Sequence, residues 1–375
     1  MRPSSGITLA LALTASAANA QSIVNSAIRT GPLFARYTVD APIGVTISEL
    51  AVPFAVSVPF NSRLNFDVSG GYARATVDFE NGQKSEEISG MTDTQLRANF
   101  SLGEDFIIFT AGLNIPTGQS TVLQDQVLAA GFIGNEFLAF PIPSMGTGFG
   151  GTGGIAIARP MGEWNVGLGA SMRYSAEYEP YRFTNETVDT AGNVISSSDE
   201  AVHFQPGNEY RVRVGADHGF AGGRVAAGLT YSKFGDDNVG GGTVYSTGDR
   251  YIGEAGYSRT LRGVDYIVSA WNLFRAEGVR AGSRAPTENI TSGALSAGFD
   301  VGGFRIEPNV EMRMWYSEER FLGKMAMVGI RNRLQVMGLE IYPSAGYAIG
   351  NLLAENDSKP ALSGFRASLT ARFGR

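Results

Sequence analysis

The chain has 375 residues, 43% of them hydrophobic, with 49 glycines, no cysteine and a formal net charge of -6. The lack of cysteine excludes disulfides and thiolate metal sites, and the mild acidic balance without a basic block leaves no electrostatic footprint for nucleic acid. Length alone would allow two soluble domains, but no linker or break in composition divides the sequence, so one unit is expected.

The first twenty residues, MRPSSGITLALALTASAANA, carry one basic residue (Arg2), an apolar run around Ile7–Thr14 and Ala18-Asn19-Ala20 before Gln21. This is the pattern of a secretory signal peptide, residues 1–20. A short periplasmic segment, 21–30, is expected to follow, with the rest of the chain, 31–375, as one barrel. The apolar run is too short to cross a bilayer as a helix, and no later segment has the roughly 18 apolar residues that a membrane helix needs.

Beyond the leader, alternation with a period of two dominates, and successive strand side chains point to opposite faces. Leu50, Val52, Phe54, Val56 and Val58 alternate with Ala51, Pro53, Ala55 and Ser57. Leu64, Phe66, Val68 and Tyr72 alternate with Asn65, Asp67, Ser69 and Gly71, and Leu96, Ala98, Phe100 and Leu102 with Gln95, Arg97, Asn99 and Ser101. The longest such run is Trp164 to Tyr178, WNVGLGASMRYSAEY, well beyond the roughly five or six residues of a soluble strand. Length, alternation and terminal aromatics together predict transmembrane strands whose apolar face meets lipid between aromatic girdles. Similar alternation recurs at Tyr210–Asp217 and Phe304–Met314.

Short turns at Asn61-Ser62, Gly103-Glu104, Met161-Gly162, Ala221-Gly222, Arg262-Gly263, Gly302-Gly303 and Met337-Gly338 alternate with longer links near 80–90, 116–146, 179–207, 235–246, 277–287, 317–323 and 352–361. Short periplasmic turns and long outer loops have this rhythm. The fold class predicted is all-β, a transmembrane antiparallel up-and-down β-barrel of about sixteen strands, or fourteen if the first hairpin near Gly31–Val39 stays outside the wall. In the last strand Phe365, Ala367, Leu369, Ala371 and Phe373 alternate with polar residues. It resembles the C-terminal signal of outer-membrane proteins, which implies the barrel-insertion machinery as a partner; here Gly374 and Arg375 follow the aromatic.

The loop Pro116–Gly146 has only Asp125 and Glu136 as charges, among many apolar residues. Thr121 with Gln124 is expected to cap a short helix over Val122–Ala130. A free loop of this composition would place a large apolar patch in water, so it is expected to fold into the barrel mouth, either as a plug on the wall or as a groove for an apolar ligand. Val122, Leu123, Val127, Leu128, Phe132, Phe137 and Phe140 are the candidate binding residues.

Two adjoining stretches, GMTDTQLRANFSL at Gly90–Leu102 and AGLNIPTGQS at Ala111–Ser120, resemble a pattern in barrels of the hydrophobic-substrate uptake group, which includes FadL-type fatty-acid transporters and the transporters of the phenol meta-pathway. In that pattern a G-x-x-D-T-x-L strand is paired with a strand ending in P-T-G. The resemblance covers roughly 30 residues and implies passive uptake of small hydrophobic molecules. The group's asparagine-proline hatch has no counterpart in Ser22–Thr30.

On the polar faces, Arg97, Arg173, Glu177, Arg211, Arg213, Asp217, Arg305, Glu307, Glu311, Arg313, Arg331 and Arg333 are expected to line the lumen, as are Asp67, Asp93, Arg366 and Arg372. Glu307 and Glu311 against Arg331 and Arg333 predict cross-strand ion pairs, either bracing the wall or lining a pore. The two histidines, His203 and His218, have no triad partners in view, so no catalysis, cofactor or resident metal is expected. The expected partners are outer-membrane lipid and a small solute. The expectation is an uptake barrel, with a general diffusion porin and a plugged structural or adhesive barrel as alternatives.

Overall fold

The computed structural model describes residues 28–373, apart from 41, 104–105, 189–193, 241–242, 281, 319, 337–338 and 355–356. The leader and the turns at residues 104 and 337–338 lie outside the described residues. One antiparallel sheet of eighteen strand segments closes on itself as sixteen wall strands, because the first and the fourth are each interrupted once.

The wall strands are β1 (Ile28–Thr30 and Leu33–Val39), β2 (Val45–Pro59), β3 (Leu64–Phe79), β4 (Glu86–Met91 and Thr94–Leu102), β5 (Ile107–Ile115), β6 (Gly150–Met161), β7 (Trp164–Ser175) and β8 (Glu209–Phe220). They continue as β9 (Gly223–Phe234), β10 (Arg250–Leu261), β11 (Val264–Arg275), β12 (Glu288–Val301), β13 (Phe304–Ser317), β14 (Arg320–Val336), β15 (Leu339–Leu352) and β16 (Ala361–Phe373). Each pairs with its sequence neighbours, and β1 closes the barrel on β16, with Tyr37 opposite Gly364. The first strand therefore belongs to the wall, and among the described residues its pairing includes Ile28–Thr30, which the sequence pattern assigns to the periplasmic segment. A Cβ on Gly364 would lie 2.3 Å from the Tyr37 ring, so glycine is what lets this large inward side chain sit at the seam.

The even residues of β7 and β8 point outward, and Leu168 is 54% exposed. Such a surface is tolerated only against lipid. Aromatic pairs mark its edges: Trp164 stacks on His218 at 5.1 Å and Phe220 on Tyr257 at 5.9 Å at the periplasmic end, and Tyr231 meets Tyr251 tilted at 5.0 Å at the outer end. The C-terminal strand keeps the predicted alternation, with Phe365, Leu369 and Phe373 exposed outward.

Two expectations are corrected here. The run from Trp164 to Tyr178 is not one strand. The wall strand ends at Ser175, and Tyr178–Val188 begins an outer hairpin with Val194–Gln205. Glu177 therefore leaves the lumen and faces His203, at 3.2 Å. Second, the inside of the barrel is not polar throughout. Toward the outer ends of β1–β4, Ala35, Tyr37, Val39, Val45, Ile47, Ala73, Ala75, Val77 and Ile88 point inward and are buried. There the outer face is polar instead: Thr38 bonds Thr46 at 3.0 Å, Ser48 bonds Thr76 at 2.7 Å, and Arg74 pairs with Glu87 at 2.7 Å. The polarity is inverted because this part of the wall rises into water and encloses a dry core.

The fourth strand accommodates this inversion with a bulge. Met91 pairs with Tyr72 and Gln95 with Ser69, so Thr92, Asp93 and Thr94 face only Gly70 and Gly71. The extra residue shifts the side-chain parity. Ile88 is inward before the bulge, Leu96 outward after it, and Asp93 is turned into the lumen.

Candidate functional site: a loop folded across the lumen

The dry core is filled by the loop between β5 and β6. It begins with a strand segment Val122–Leu123 and a 3-10 turn Gln124–Gln126, followed by helix α1 (Val127–Ile133). The helix starts later than predicted, and its cap is different. Thr121 Oγ1 donates to the Glu179 carbonyl at 2.7 Å, and Gln126 Oε1 accepts from the Leu123 N–H at 3.1 Å. The first N–H groups of a helix have no partner within it. Here Glu86, from β4, supplies one, its Oε2 accepting from Leu128 N at 2.9 Å and Ala129 N at 3.3 Å.

After α1 the chain crosses to the far wall. Glu136 accepts from Arg275 at 2.9 Å and lies 3.3 Å from Arg250. Phe137 is fully buried and stacks on Trp315 at 5.6 Å. Its carbonyl accepts from Arg313 Nη1 at 2.5 Å, while Arg313 pairs with Glu311 at 2.5 Å and lies over the Trp271 ring. The carbonyls of Leu138 and Ala139 accept from Arg366, whose guanidinium lies over the Tyr37 ring. Phe140 meets Tyr37 edge-on at 5.4 Å, and the Ile142 N–H donates to the fully buried Glu49 at 2.9 Å. The loop thus touches β10, β11, β13, β16, β1 and β2 in turn, which takes it right across the barrel. Burial of a phenylalanine contributes about 1.5–3 kcal/mol, and the charged anchors add hydrogen bonds that are stronger than neutral ones.

The base of the loop is clamped by the two stretches that carry the family resemblance. Asp93 accepts from Gly118 N at 3.1 Å, Thr147 N at 2.7 Å and Asn114 Nδ2 at 2.7 Å. Thr94 and Thr117 share a hydroxyl hydrogen bond at 2.8 Å, and Thr117 Oγ1 donates to the Thr92 carbonyl at 3.1 Å. A Cβ on Gly118 would lie 2.2 Å from the Met145 carbonyl oxygen. The D-T and P-T-G pieces therefore form one interlocked unit where the loop enters and leaves.

The candidate binding residues fall into two groups. Phe137 and Phe140 are buried plug residues, with Val122 and Phe132 packed against the same core. Leu123, Val127 and Leu128 are exposed, at 39–45%. Leu123 also lines a depression of about 580 Å³ beneath the outer hairpin, together with Phe183, Arg182, Thr184 and Asp199. Val122–Leu123 pairs in parallel with Tyr181–Arg182, tying the loop to that hairpin.

Of the lumen residues, Arg173 donates to Thr147 at 3.3 Å, near the clamp. Arg211 pairs with Glu209 at 2.6 Å, Arg213 with Glu254 at 2.6 Å, and Asp217 with Arg224 at 2.9 Å. Arg97 stands opposite Asp67. The predicted Glu307–Arg331 pair is present at 3.3 Å, and Glu307 also accepts from Arg305 at 2.9 Å. Glu311 does not join that group, being occupied by Arg313, and Arg333 binds Glu340 instead. Sequence reasoning missed the anchors Glu49, Glu86, Glu136, Arg250 and Arg275. One signal was available for Glu49: it sits where the apolar residues of β2 change from odd positions (Val45, Ile47) to even ones (Leu50, Val52).

Among the described residues no group of three or more histidine, aspartate or glutamate side chains could hold a metal ion. His218 Nδ1 donates to the Glu163 carbonyl at 2.8 Å, and its ring stacks on Trp164 at the periplasmic end of the wall.

No protein-family model and no curated protein matches the chain. Similar solved structures include a CymD monoaromatic hydrocarbon channel, at 12% identity over 94% of this chain and 89% of that one, TM-score 0.46. A Pseudomonas aeruginosa FadL homologue is similar at 11% identity, covering 94% and 91%, TM-score 0.42. An anion-selective porin from Comamonas acidovorans is similar at 12% identity, covering 93% and 99%, TM-score 0.44. The barrel architecture of this chain rests on its own strand pairing.

Proposed function

We propose that the protein is an outer-membrane uptake barrel for small hydrophobic organic molecules, passive in mechanism and closed in this state by its own loop 116–146. The observation that carries this reading is the placement of the loop. Its apolar residues cross the outer half of the lumen and pack on the apolar inward faces of β1–β4, while Leu123, Val127 and Leu128 present a greasy edge to the outside. A small hydrophobic molecule leaving water gains free energy on that edge in proportion to the apolar area covered. It can then pass along the interface between loop and wall if the loop shifts on its anchors. A general diffusion porin is the weaker reading, because a hydrophilic solute would have to cross the dry core of Phe137, Phe140 and Tyr37. The lipid-facing belt, the C-terminal strand and the expected leader support an outer-membrane location and insertion by the barrel-assembly machinery.

The test is toluene uptake by intact cells with a lipopolysaccharide outer leaflet, comparing cells without the barrel, cells with it and cells with Leu123→Asp/Val127→Asp/Leu128→Asp. These three side chains are exposed, so the variant barrel is expected to fold. We expect the triple variant to lose most of the protein-dependent uptake. Equal uptake with the two proteins would remove the outer edge from the path, and uptake no greater than in cells without the barrel would overturn the uptake reading.

A further inference from the structure

A second cluster lies at the other end of the lumen, within a few residues of the periplasmic turns. Arg29 of β1, Arg305 of β13, Arg331 and Arg333 of β14 and Arg372 of β16 converge there. The carboxylates among them are Asp265, Glu307, Glu340 and, directly opposite Arg305 on β12, Asp300, so five arginines meet four acids. Elsewhere in the lumen Arg224 pairs with Asp217, and at the plug Glu136 is shared by Arg250 and Arg275. Here Glu307 is shared by Arg305 and Arg331, Glu340 by Arg333 and Arg372 with the Tyr342 hydroxyl as well, and Asp265 holds Arg305 together with the Thr260 hydroxyl.

The register sharpens the point. Arg29 stands directly opposite Arg372 and Arg305 directly opposite Arg333, while on their other sides Arg372 faces Glu340 and Arg305 faces Asp300. Like charges at directly opposed positions destabilise a sheet. Arg29 also has Arg331 as an electrostatic neighbour. Bracing the wall does not call for two such pairs within one patch. An anion does, because converging guanidinium groups match the geometry of carboxylate and phosphate oxygens. The low-dielectric wall around a water-filled cup also concentrates the positive field at its mouth. Arg333 is half exposed and Arg331 about one-third exposed, so both remain open to solvent.

We propose that this periplasmic vestibule binds a small oxyanion, a carboxylate or phosphate group, through Arg331 and Arg333 with Arg29, Arg305 and Arg372 around them. The site faces the opposite compartment from the plug and does not depend on the uptake reading.

The test is calorimetric titration of the detergent-solubilised full-length protein with benzoate, inorganic phosphate and neutral benzamide. Proteins compared are wild type, Arg331→Gln/Arg333→Gln, Arg333→Gln alone and, as a control for lost charge, Arg63→Gln at an exposed periplasmic turn. Each variant is first checked for a heat-modifiable gel shift. The expected result is binding of at least one anion but not of benzamide, weakened by added salt. Affinity should fall roughly tenfold in the double variant, the loss expected from removing hydrogen bonds to a charged group, and should be unchanged in Arg63→Gln. Binding of benzoate alone assigns an organic carboxylate, and binding of phosphate alone assigns a phosphate group. If the double variant does not fold, the single variant decides by the same criterion. No binding of either anion, equal binding of benzamide, or affinity indifferent to the arginine substitutions would overturn the proposal.

Discussion

At the scale of single residues, the loop is held by side chains that each perform two tasks. Arg313 is 5% exposed, neutralises Glu311 and donates to the Phe137 carbonyl. Replacing it with glutamine would leave a largely buried carboxylate without its partner and a carbonyl without its donor. Breaking a buried pair of this kind costs on the order of 3–5 kcal/mol. Because the barrel ladder is unaffected, the loss should fall on loop docking. The Arg313→Gln protein should keep its heat-modifiable shift but be cut by protease within residues 116–146, where the wild type resists. Resistance equal to wild type would mean that the apolar contacts hold the loop alone. Arg366 anchors the next two carbonyls in the same way. Such residues were legible as inward arginines from the alternation. Their partners were not, since a loop carbonyl some 176 or 228 positions away leaves no local trace.

At the scale of elements, α1 is a seven-residue helix, too short to persist alone in water, and its existence depends on what meets its ends and its apolar face. Ala129 and Ile133 are buried in the core, and Glu86 reaches across from β4 to cap the first N–H groups. Glu86→Ala should therefore destabilise α1 by about 1 kcal/mol, the usual cost of losing a cap, while β4 remains paired. Hydrogen exchange at Leu128 and Ala129 reads this directly, and unchanged protection there would mean that the cap contributes nothing. The bulge at Thr92–Asp93 belongs to the same scale. The sequence G-M-T-D-T marks it only through its resemblance to the uptake group, because Gly90–Thr94 holds a single large apolar residue, Met91, too few to show where the alternation changes phase.

At the scale of the whole molecule, the sixteen strands form a wall whose inside is divided between a plugged outer half and a charged, water-filled periplasmic half. The division predicts the electrical behaviour of the barrel. Wild-type protein in a planar bilayer should be silent or pass only brief openings, and deletion of residues 119–144 should give steady open steps. Steady conductance in the wild type would show that the loop leaves a continuous water path, and a silent deletion variant would place the closure elsewhere.

By itself the sequence determined the class of the fold: alternation, strand length and the rhythm of short and long links are local properties, and lipid demands an apolar outward face at every strand that crosses it. The inward arginines followed from the same parity. The inverted polarity of β1–β4, the course of the loop and the clustering of arginines at one mouth were decided only in the tertiary structure. They depend on which strands the closed barrel brings face to face across the lumen, and a linear pattern of alternate residues does not encode that distance.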